Sequence, residues 1–412
     1  MRTLRTALLG AAFALAAVPA ALPAAAQDTL KIGYIDPLSG AFANVGELGV
    51  HHFQFVMDRI NAKGGVLGKK LELVPLDSKA NPQDTQIALK KVIDDNIRFV
   101  LQGNGSNVAH AIVDTLAKHN EREPSKSVLF LNYAAVDPAL TNDKCSFWHF
   151  RFDADADMKM EALTNFMAKQ PGIKKVYLIN QDYSFGKAVA AAANEMLKKK
   201  RPDVQIVGEE LHPLGKVQDF TPYVAKIKAS GADSVITGNW GNDLSLLVKA
   251  AKDAGLPVDW YTYYAGGLST PAAIGQAGKD RVKQISEWHS NVEGATLDEE
   301  VEAYKKKYNE DFYYLRTRNL IEMFAKAVEQ AKSTDPVAVA KALEGMKHQT
   351  PTGEVTMRAD NHQLLQPMFV STMSAGMKRD VENTGLGFKT DGRIEAKDTE
   401  TPTTCKMKRP SA

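Results

Sequence analysis

The stretch LQGNGSNVAHAI, residues 101–112, connects the end of an apolar run to the start of a helix. Two glycines, one serine and two asparagines lie at the connection. A short apolar run followed by a glycine-containing turn and a helical pattern is typical of a strand in a parallel sheet. The stretch therefore predicts a strand-to-helix connection in an α/β fold.

The start of this helix is a candidate anion site. Backbone N–H groups and the helix dipole at Ser106 and Asn107 can hold a negative charge, and the Ser106 hydroxyl adds a donor. Serine and asparagine are also common N-caps, so residue type alone leaves an anion site and a simple cap equally open. Gly103 and Gly105 belong neither to a dinucleotide fingerprint nor to a phosphate loop of the Gly-Lys-Ser/Thr kind.

The alternation of strand and helix continues on both sides of this stretch. Residues 30–35 are strand-like, residues 46–61 carry apolar side chains at helical spacing, and residues 70–74 are strand-like again. The pattern restarts with KVYLIN at 175–180, so a second α/β unit spans about 151–289. This order predicts doubly wound parallel sheets in two similar units, with a cleft between them.

The first 26 residues have the pattern of a cleaved secretory signal peptide. Arg2 and Arg5 precede an apolar stretch at 7–18, and three alanines at 24–26 offer a cleavage site. An uncleaved N-terminal anchor is the weaker alternative. A lipoprotein anchor is not expected, because there is no cysteine beside the cleavage site. We therefore expect export to the periplasm.

Charge and cysteine content narrow the range of partners. Cleavage of the signal peptide removes two of the 51 basic residues. The remaining basic residues then equal the 49 acidic residues in number. A balanced surface favours neither nucleic acid nor an anionic membrane as a partner. In an oxidising compartment Cys145 and Cys405 are expected to form a disulfide, with two unrelated buried thiols as the alternative.

The chain lacks the usual signatures of catalysis or metal binding. There is no G-x-S-x-G elbow, no H-E-x-x-H motif and no zinc spacing of cysteines. His51 and His52 are interpreted as partly exposed helix residues. Asp153, Asp155 and Asp157 lack the remaining ligands of an EF-hand and are interpreted as a polar segment between the two units. We expect a protein that is not an enzyme and has no cofactor and no metal.

Aromatic residues cluster where three strands of the second unit end. Core packing explains any one cluster, but three on one edge predict a wall that closes over a flat or apolar ligand. The clusters contain Tyr183 and Phe185, then Trp240, then Tyr261, Tyr263 and Tyr264. We expect Tyr183, Phe185, Trp240 and Tyr264 to contact the ligand.

Several motifs resemble the type I periplasmic binding proteins of ABC transporters, of the Leu/Ile/Val-binding kind. They are KIGYIDPLSGAFANVG at 31–46, INAKGGVLGKKLELVPLDSKANPQ at 60–83, AAVDPALT at 134–141, NQDYSFGKA at 180–188 and FTPYVAKIKASGADSVITG at 220–238. The resemblance implies two Rossmann-like lobes, a three-strand hinge and closure on a small solute without chemistry. It also implies a monomer that delivers the solute to an inner-membrane permease and its ATPase.

The same resemblance implies how the chain divides. The N-terminal lobe is expected to contain residues 27–150 and about 290–365. The C-terminal lobe and tail are expected to contain residues 151–289 and about 366–412. The cysteine pair would then fix the tail beside the first chain crossing.

The family's carboxylate-binding positions correspond to specific residues here. Ser106, with its N–H group and Asn107, stands where the family holds a ligand carboxylate. Ala135 and Val136 replace the family's Ala-Thr pair, so the backbone groups remain and the hydroxyl is lost. Val45 stands where the amino-acid binder has a bulky aromatic residue.

The position of the family's ammonium-binding acid is occupied by Ala265, and residues 261–268 contain no Asp or Glu. Because an unpaired buried ammonium costs several kcal/mol, we expect an aromatic acid or a 2-keto acid rather than a branched-chain amino acid. The leading interpretation is a solute receptor of an ABC importer. A periplasmic sensor subunit of the same fold and an exported α/β enzyme are the alternatives.

Overall fold

A computed structural model of the chain describes residues 28–295 and 297–410, so the predicted signal peptide at 1–26 lies outside the described residues. The helices are α1 Ala43–Asn61, α2 Pro82–Asp94, α3 Ser106–Arg122, α4 Ala156–Met167, α5 Ser184–Lys200, α6 Thr221–Ser230, α7 Gly241–Asp253, α8 Thr270–Ile274, α9 Asp298–Tyr308, α10 Leu315–Ala331 and α11 Pro336–Leu343.

The strands are distributed over the whole described chain. They are β1 Thr29–Asp36, β2 Lys70–Asp77, β3 Phe99–Gln102, β4 Leu129–Asn132, β5 His149–Arg151, β6 Lys175–Gln181, β7 Gln205–His212, β8 Ser234–Thr237, β9 Asp259–Thr262, β10 Val282–Ser286, β11 Lys347–Thr350, β12 Gly353–Met357, β13 Leu364–Leu365, β14 Met368–Ala375 and β15 Leu386–Ile394.

The first sheet has the order β2-β1-β3-β4-β5, and all its strands are parallel. Every residue of β3 and β4 is buried, as expected for parallel strands covered by helices on both faces. Helices α1 and α10 pack against one face, where Phe324 meets Phe99 with ring centroids 4.8 Å apart. The quoted stretch forms β3, its turn and the start of α3, as the sequence predicted.

The second sheet has the order β15-β14-β10-β9-β8-β6-β7. Strands β6 to β10 are parallel to one another, whereas β14 and β15 are added antiparallel at one edge. These two edge strands have eight and nine residues. The fold is thus a two-lobed α/β architecture with one parallel and one mixed sheet.

The chain passes between the two sheets three times, after β5, after β10 and after β13. The first and third crossings are hydrogen-bonded to each other. Gln363 Nε2 donates to the Asp153 carbonyl at 2.8 Å, and Gln366 Nε2 donates to the Phe152 carbonyl at 3.1 Å. Side-chain amides therefore fix the spacing of two neighbouring hinge segments.

The expected exposure of His52 is wrong, because its side chain is fully buried. His52 Nε2 accepts the N–H groups of Tyr313 and Tyr314 at 3.1 and 3.3 Å. Burial lowers the pKa of His52 to about 3, which keeps the ring neutral and able to accept. A residue of α1 thus anchors the loop that leads into α10.

The DADAD segment carries buried ion pairs. Asp153 Oδ2 lies 2.8 Å from Lys159 Nζ, and Asp155 Oδ2 lies 3.0 Å from Arg151 Nη2. Asp155 also accepts the N–H of Met158 as the N-cap of α4. In the described residues, no group of three or more His, Cys, Asp or Glu side chains could hold a metal ion.

Cys145 and Cys405 form the disulfide that the sequence predicted, with their Cα atoms 5.6 Å apart. Thr403 Oγ1 donates to the Thr141 carbonyl at 3.1 Å, so the tail lies against the first lobe beside the bridge. None of the described helices is long and apolar enough to cross a membrane.

We predict that the double variant C145S/C405S unfolds at a lower urea concentration than the natural chain. A cross-link over 260 residues restricts the unfolded chain, and its loss costs about 2–4 kcal/mol. Urea denaturation followed by circular dichroism measures the change. Reductant should shift the curve of the natural chain and leave that of the variant unchanged. Coincident curves for the two oxidised proteins would contradict the prediction.

Candidate ligand-binding site

The turn before α3 is held by a buried carboxyl group at the end of β1. Asp36 Oδ1 accepts the N–H of Asn104 at 2.8 Å, and Tyr133 Oη donates to Asp36 Oδ2 at 2.7 Å. Gly103 packs against the Tyr133 ring so closely that a Cβ would lie 2.7 Å from it. The turn therefore requires glycine at 103, and the Asp36 carboxyl group fixes its path.

The first turn of α3 offers free donors. The N–H groups of Val108 and Ala109 donate to the Gly105 carbonyl, while those of Ser106 and Asn107 make no hydrogen bond within the described residues. Gly105 has φ +99°, a conformation that side chains rarely adopt. Ser106 Oγ accepts the N–H of Asp137 at 3.2 Å, which leaves its own proton for a ligand.

Ala135 and Val136 differ in what they contact: Ala135 is hydrogen-bonded to Asn132, and Val136 lines the cleft. The Ala135 N–H donates to Asn132 Oδ1 at 2.7 Å, and the Ala135 carbonyl accepts from Asn132 Nδ2 at 2.8 Å. The backbone groups of Ala135 are therefore already occupied by Asn132. Val136 presents its side chain to the cleft, where the family's threonine would offer a hydroxyl.

The second lobe contributes an aromatic wall. Trp240 Nε1 donates to Tyr183 Oη at 2.8 Å, which fixes both rings. The Phe185 ring centroid lies 5.9 Å from that of Tyr183 and 6.2 Å from that of Tyr264. Tyr263, by contrast, donates its hydroxyl to the Ala156 carbonyl at 2.7 Å and belongs to the core.

The two lobes meet across the cleft through stacked rings. Phe42, just before α1, stacks on Trp240 with centroids 4.2 Å apart and an interplanar angle of 29°. Gly241 permits this approach, since a Cβ there would lie 3.0 Å from the Phe42 ring and 3.2 Å from Val45 Cγ2. The cleft is therefore closed in this structure, and these contacts form its outer rim.

A cavity between the lobes brings most of the sequence-predicted residues together. Its walls include Val45, Ser106, Val136, Tyr183, Phe185, Trp240 and Tyr264. Asn107 and Ala135 do not line it, although the Asn107 N–H belongs to the free first turn of α3. The walls also include residues that sequence reasoning missed: Gly103, Asn104, Gly105, Ala134, Gly241, Gly267, Leu268, Tyr314 and Arg316.

Ala265 itself is fully buried in the core of the second lobe rather than in the cavity wall. The neighbouring residues Tyr264, Gly267 and Leu268 line the cavity instead. Among the described residues of the wall there is still no Asp or Glu. The position expected for the family's acid is therefore not part of the wall, and residues one to three positions away from Ala265 line the cavity instead.

Arg316 is the charged side chain in this wall. Its Nη1 atom lies 2.9 Å from Glu287 Oε1 and 3.1 Å from Glu287 Oε2, and its guanidinium stacks 4.0 Å from the Tyr314 ring centroid. Burial lowers the pKa of Arg316, but Glu287 and Asp153 raise it by more, so the group remains charged. No local motif marks this residue in the sequence.

The comparisons with known proteins agree with this geometry. A sequence model of the periplasmic binding protein family matches residues 29–378. The chain belongs to this family of periplasmic binding proteins. Both the family resemblance and the predicted fold class are confirmed, as is the interpretation as a binding protein rather than an enzyme.

Two proteins to which the chain is similar are named for aliphatic amino acids. It is 34% identical over 398 residues to the Leu/Ile/Val-binding protein homolog 4 of Brucella abortus, which covers 94% of each chain. It superposes with a TM-score of 0.83 and 31% identity on the closed leucine-, isoleucine-, valine-, threonine- and alanine-binding protein of Brucella ovis, covering 93% of this chain and 100% of that one.

The fold also matches a solute-binding protein of an ABC transporter from R. palustris that was solved with benzoate. The TM-score is 0.77 at 18% identity, over 92% of this chain and 99% of that one. At this identity the match shows the shared fold. Members of this fold class thus include proteins named for aliphatic amino acids and a protein with a bound aromatic acid.

We predict a pH-dependent stability difference between the natural protein and the variant Asp36→Asn. Burial raises the pKa of Asp36 to about 7, although hydrogen bonds from Tyr133 and Asn104 oppose the shift. The folded protein therefore keeps this proton up to a higher pH than the unfolded chain, in which the pKa of Asp is about 3.9. The contribution of Asp36 to the free energy of unfolding thus falls as pH rises from about 4 to about 7.

Asparagine at position 36 removes this titration. The stability of the variant relative to the natural protein should therefore rise with pH, by up to about 1.4 kcal/mol per pH unit in that interval. Urea denaturation at several pH values from 4.5 to 8 measures the difference. Asp114→Asn, on the exposed side of α3, is the matched control. Parallel pH profiles for Asp36→Asn and the natural protein would refute the prediction.

Proposed function

We propose that the chain is the periplasmic receptor of an ABC importer and that it binds a small monocarboxylate with an aromatic or apolar body. Aromatic acids and 2-keto acids are favoured over branched-chain amino acids. The permease and its ATPase in the inner membrane are the proposed partners. Cleavage of residues 1–26 on export is part of the same proposal.

One observation carries the choice of ligand class: the described wall of the cleft cavity contains no Asp or Glu side chain. Within the described wall, Arg316 is the charged side chain, and the first turn of α3 adds the N–H groups of Ser106 and Asn107. Because Arg316 is already paired with Glu287, these N–H groups are the donors that stabilise a ligand carboxylate. An α-ammonium would lose its water without gaining a carboxylate partner, which costs several kcal/mol.

The remaining walls suit a flat or branched apolar body. Phe185, Trp240, Tyr183 and Tyr264 offer ring faces and edges, and Val45 and Val136 offer aliphatic contact. The names of the similar proteins include both aliphatic amino acids and an aromatic acid as ligands. The chain is 34% identical to a Leu/Ile/Val-binding protein homolog, while benzoate is bound by a protein of the same fold.

Binding is proposed to be coupled to closure. A ligand carboxylate on the first turn of α3 belongs to the first lobe, whereas the aromatic wall belongs to the second. Contact of Phe42 with Trp240 then completes the rim and excludes water. Ligand binding therefore stabilises the closed arrangement of the hinge.

We predict that aromatic and 2-keto acids raise the melting temperature of the protein and that leucine, isoleucine, valine and phenylalanine do not. A ligand at 100 times its Kd adds roughly 2.7 kcal/mol to the unfolding free energy. Thermal denaturation with benzoates, cinnamates and aliphatic 2-keto acids measures this. Stabilisation by the branched-chain amino acids alone would contradict the proposal.

The variant Ser106→Ala tests whether this residue contributes to binding of the same ligands. Loss of a hydrogen bond to a charged ligand group costs about 1.5–3 kcal/mol, so we expect the Kd to rise about 10-fold or more. Ser125→Ala, at an exposed position, should bind as the natural protein does. Equal affinities of Ser106→Ala and Ser125→Ala would remove Ser106 from the site.

A further inference from the structure

A second cavity of about 290 Å³ lies beside the hinge and shares part of its wall with the cleft cavity. It is lined mainly by residues from the second crossing, from the loop before α10 and from the 378–381 segment. Four residues belong to the walls of both cavities, and these are Tyr264, Gly267, Tyr314 and Arg316. The two spaces are therefore neighbours that share one partition.

The hinge cavity opens to the surface. Glu302 and Lys378 are exposed residues of its wall, whereas Lys159, Glu287 and Arg316 are buried at its inner end. The cleft cavity itself measures about 30 Å³, so most of the enclosed space lies in the hinge cavity.

The partition carries an unused hydrogen-bond donor. Arg316 Nε is buried and has no hydrogen-bond partner among the described residues, and Asp153 Oδ2 lies 3.7 Å away from it. The side chain of Arg316 is 5% exposed and lines both cavities. A buried donor without a partner loses free energy, which an acceptor on a bound ligand would recover.

The charges around this donor are already balanced. Arg316 is paired with Glu287 at 2.9 Å, and Lys159 is paired with Asp153 at 2.8 Å. A second carboxylate here would bring an uncompensated negative charge into a buried place, which is costly. A neutral oxygen atom can accept from Arg316 without changing the charge balance.

We propose that the ligand is elongated and spans both cavities, with a carboxylate at Ser106 and a neutral oxygen at its far end beside Arg316. The ligand class is a monocarboxylic acid that bears a distal hydroxyl, carbonyl or ether group. This inference rests on the proposed function and adds to it the length and the polarity of the far end. Arg316 is then a specificity-determining residue.

Three probes of similar shape test the inference by isothermal titration calorimetry: phenylpropanoate, its para-hydroxy derivative and its para-carboxy derivative. One hydrogen bond to a charged donor should make the hydroxylated probe bind about 10-fold more tightly than phenylpropanoate. The dicarboxylate should bind more weakly than phenylpropanoate. Equal affinity of the first two probes, or tightest binding of the dicarboxylate, would overturn the inference.

Arg316→Lys keeps the positive charge beside Glu287 but removes the guanidinium Nε donor. The advantage of the hydroxylated probe over phenylpropanoate should fall below about twofold, because the lost contact concerns only the far end of the ligand. Arg318→Lys, two residues further along α10 and outside both cavities, should leave the advantage unchanged. An unchanged advantage in folded Arg316→Lys would also overturn the inference.

A second variant leaves the ion pairs intact. Ser290 lines the hinge cavity alone, so Ser290→Phe narrows that cavity without touching the cleft. The hydroxylated probe should bind at least about fivefold more weakly to it, through lost space at its far end, while benzoate binds as before. Benzoate and phenylpropanoate can bind the natural protein while neither the hydroxyl group nor Ser290→Phe changes the affinity. In that case the inference about the far end of the ligand is wrong and the proposed function stands. If no carboxylate binds, the proposed function fails with it.

Discussion

The hydrogen bond from the Asn104 N–H to the Asp36 carboxyl group fixes the turn on which the candidate site depends. Asp36 ends β1, Asn104 follows β3, and Tyr133 after β4 donates to the same carboxyl group. Three neighbouring strands are thereby joined at their carboxyl ends. The turn then delivers the first N–H groups of α3 to the cleft, and the ligand carboxylate is proposed to bind there.

The opposite side of the cavity depends on charges at the hinge. Glu287 from the second crossing, Asp153 from the first, and Arg316 from the start of α10 converge there. His52 anchors the loop just before Arg316 through two backbone N–H groups. The same segments that join the lobes therefore contribute the charged residues at this side of the cavity.

The sequence predicted the features that are local in the chain. Strand and helix alternate with clear periods, the Ser106 turn has its own residue signature, and the aromatic clusters follow their strands directly. Arg316 and the contact of His52 with Tyr314 were missed because their partners lie far away in sequence and leave no pattern. Ala265 was chosen by alignment, and a loop between a strand and a short helix does not fix which side chain faces the cleft.

We propose that the cavity holds a carboxylate, and its described walls contain no acidic partner for an ammonium group. Leucine and its 2-oxo analogue have the same carbon skeleton and differ only in the group that this claim concerns. Isothermal titration calorimetry of both ligands with the natural protein measures the difference directly. The account predicts that the keto acid binds at least about 100-fold more tightly, as expected for roughly 3 kcal/mol of uncompensated desolvation. Equal or tighter binding of leucine would contradict it.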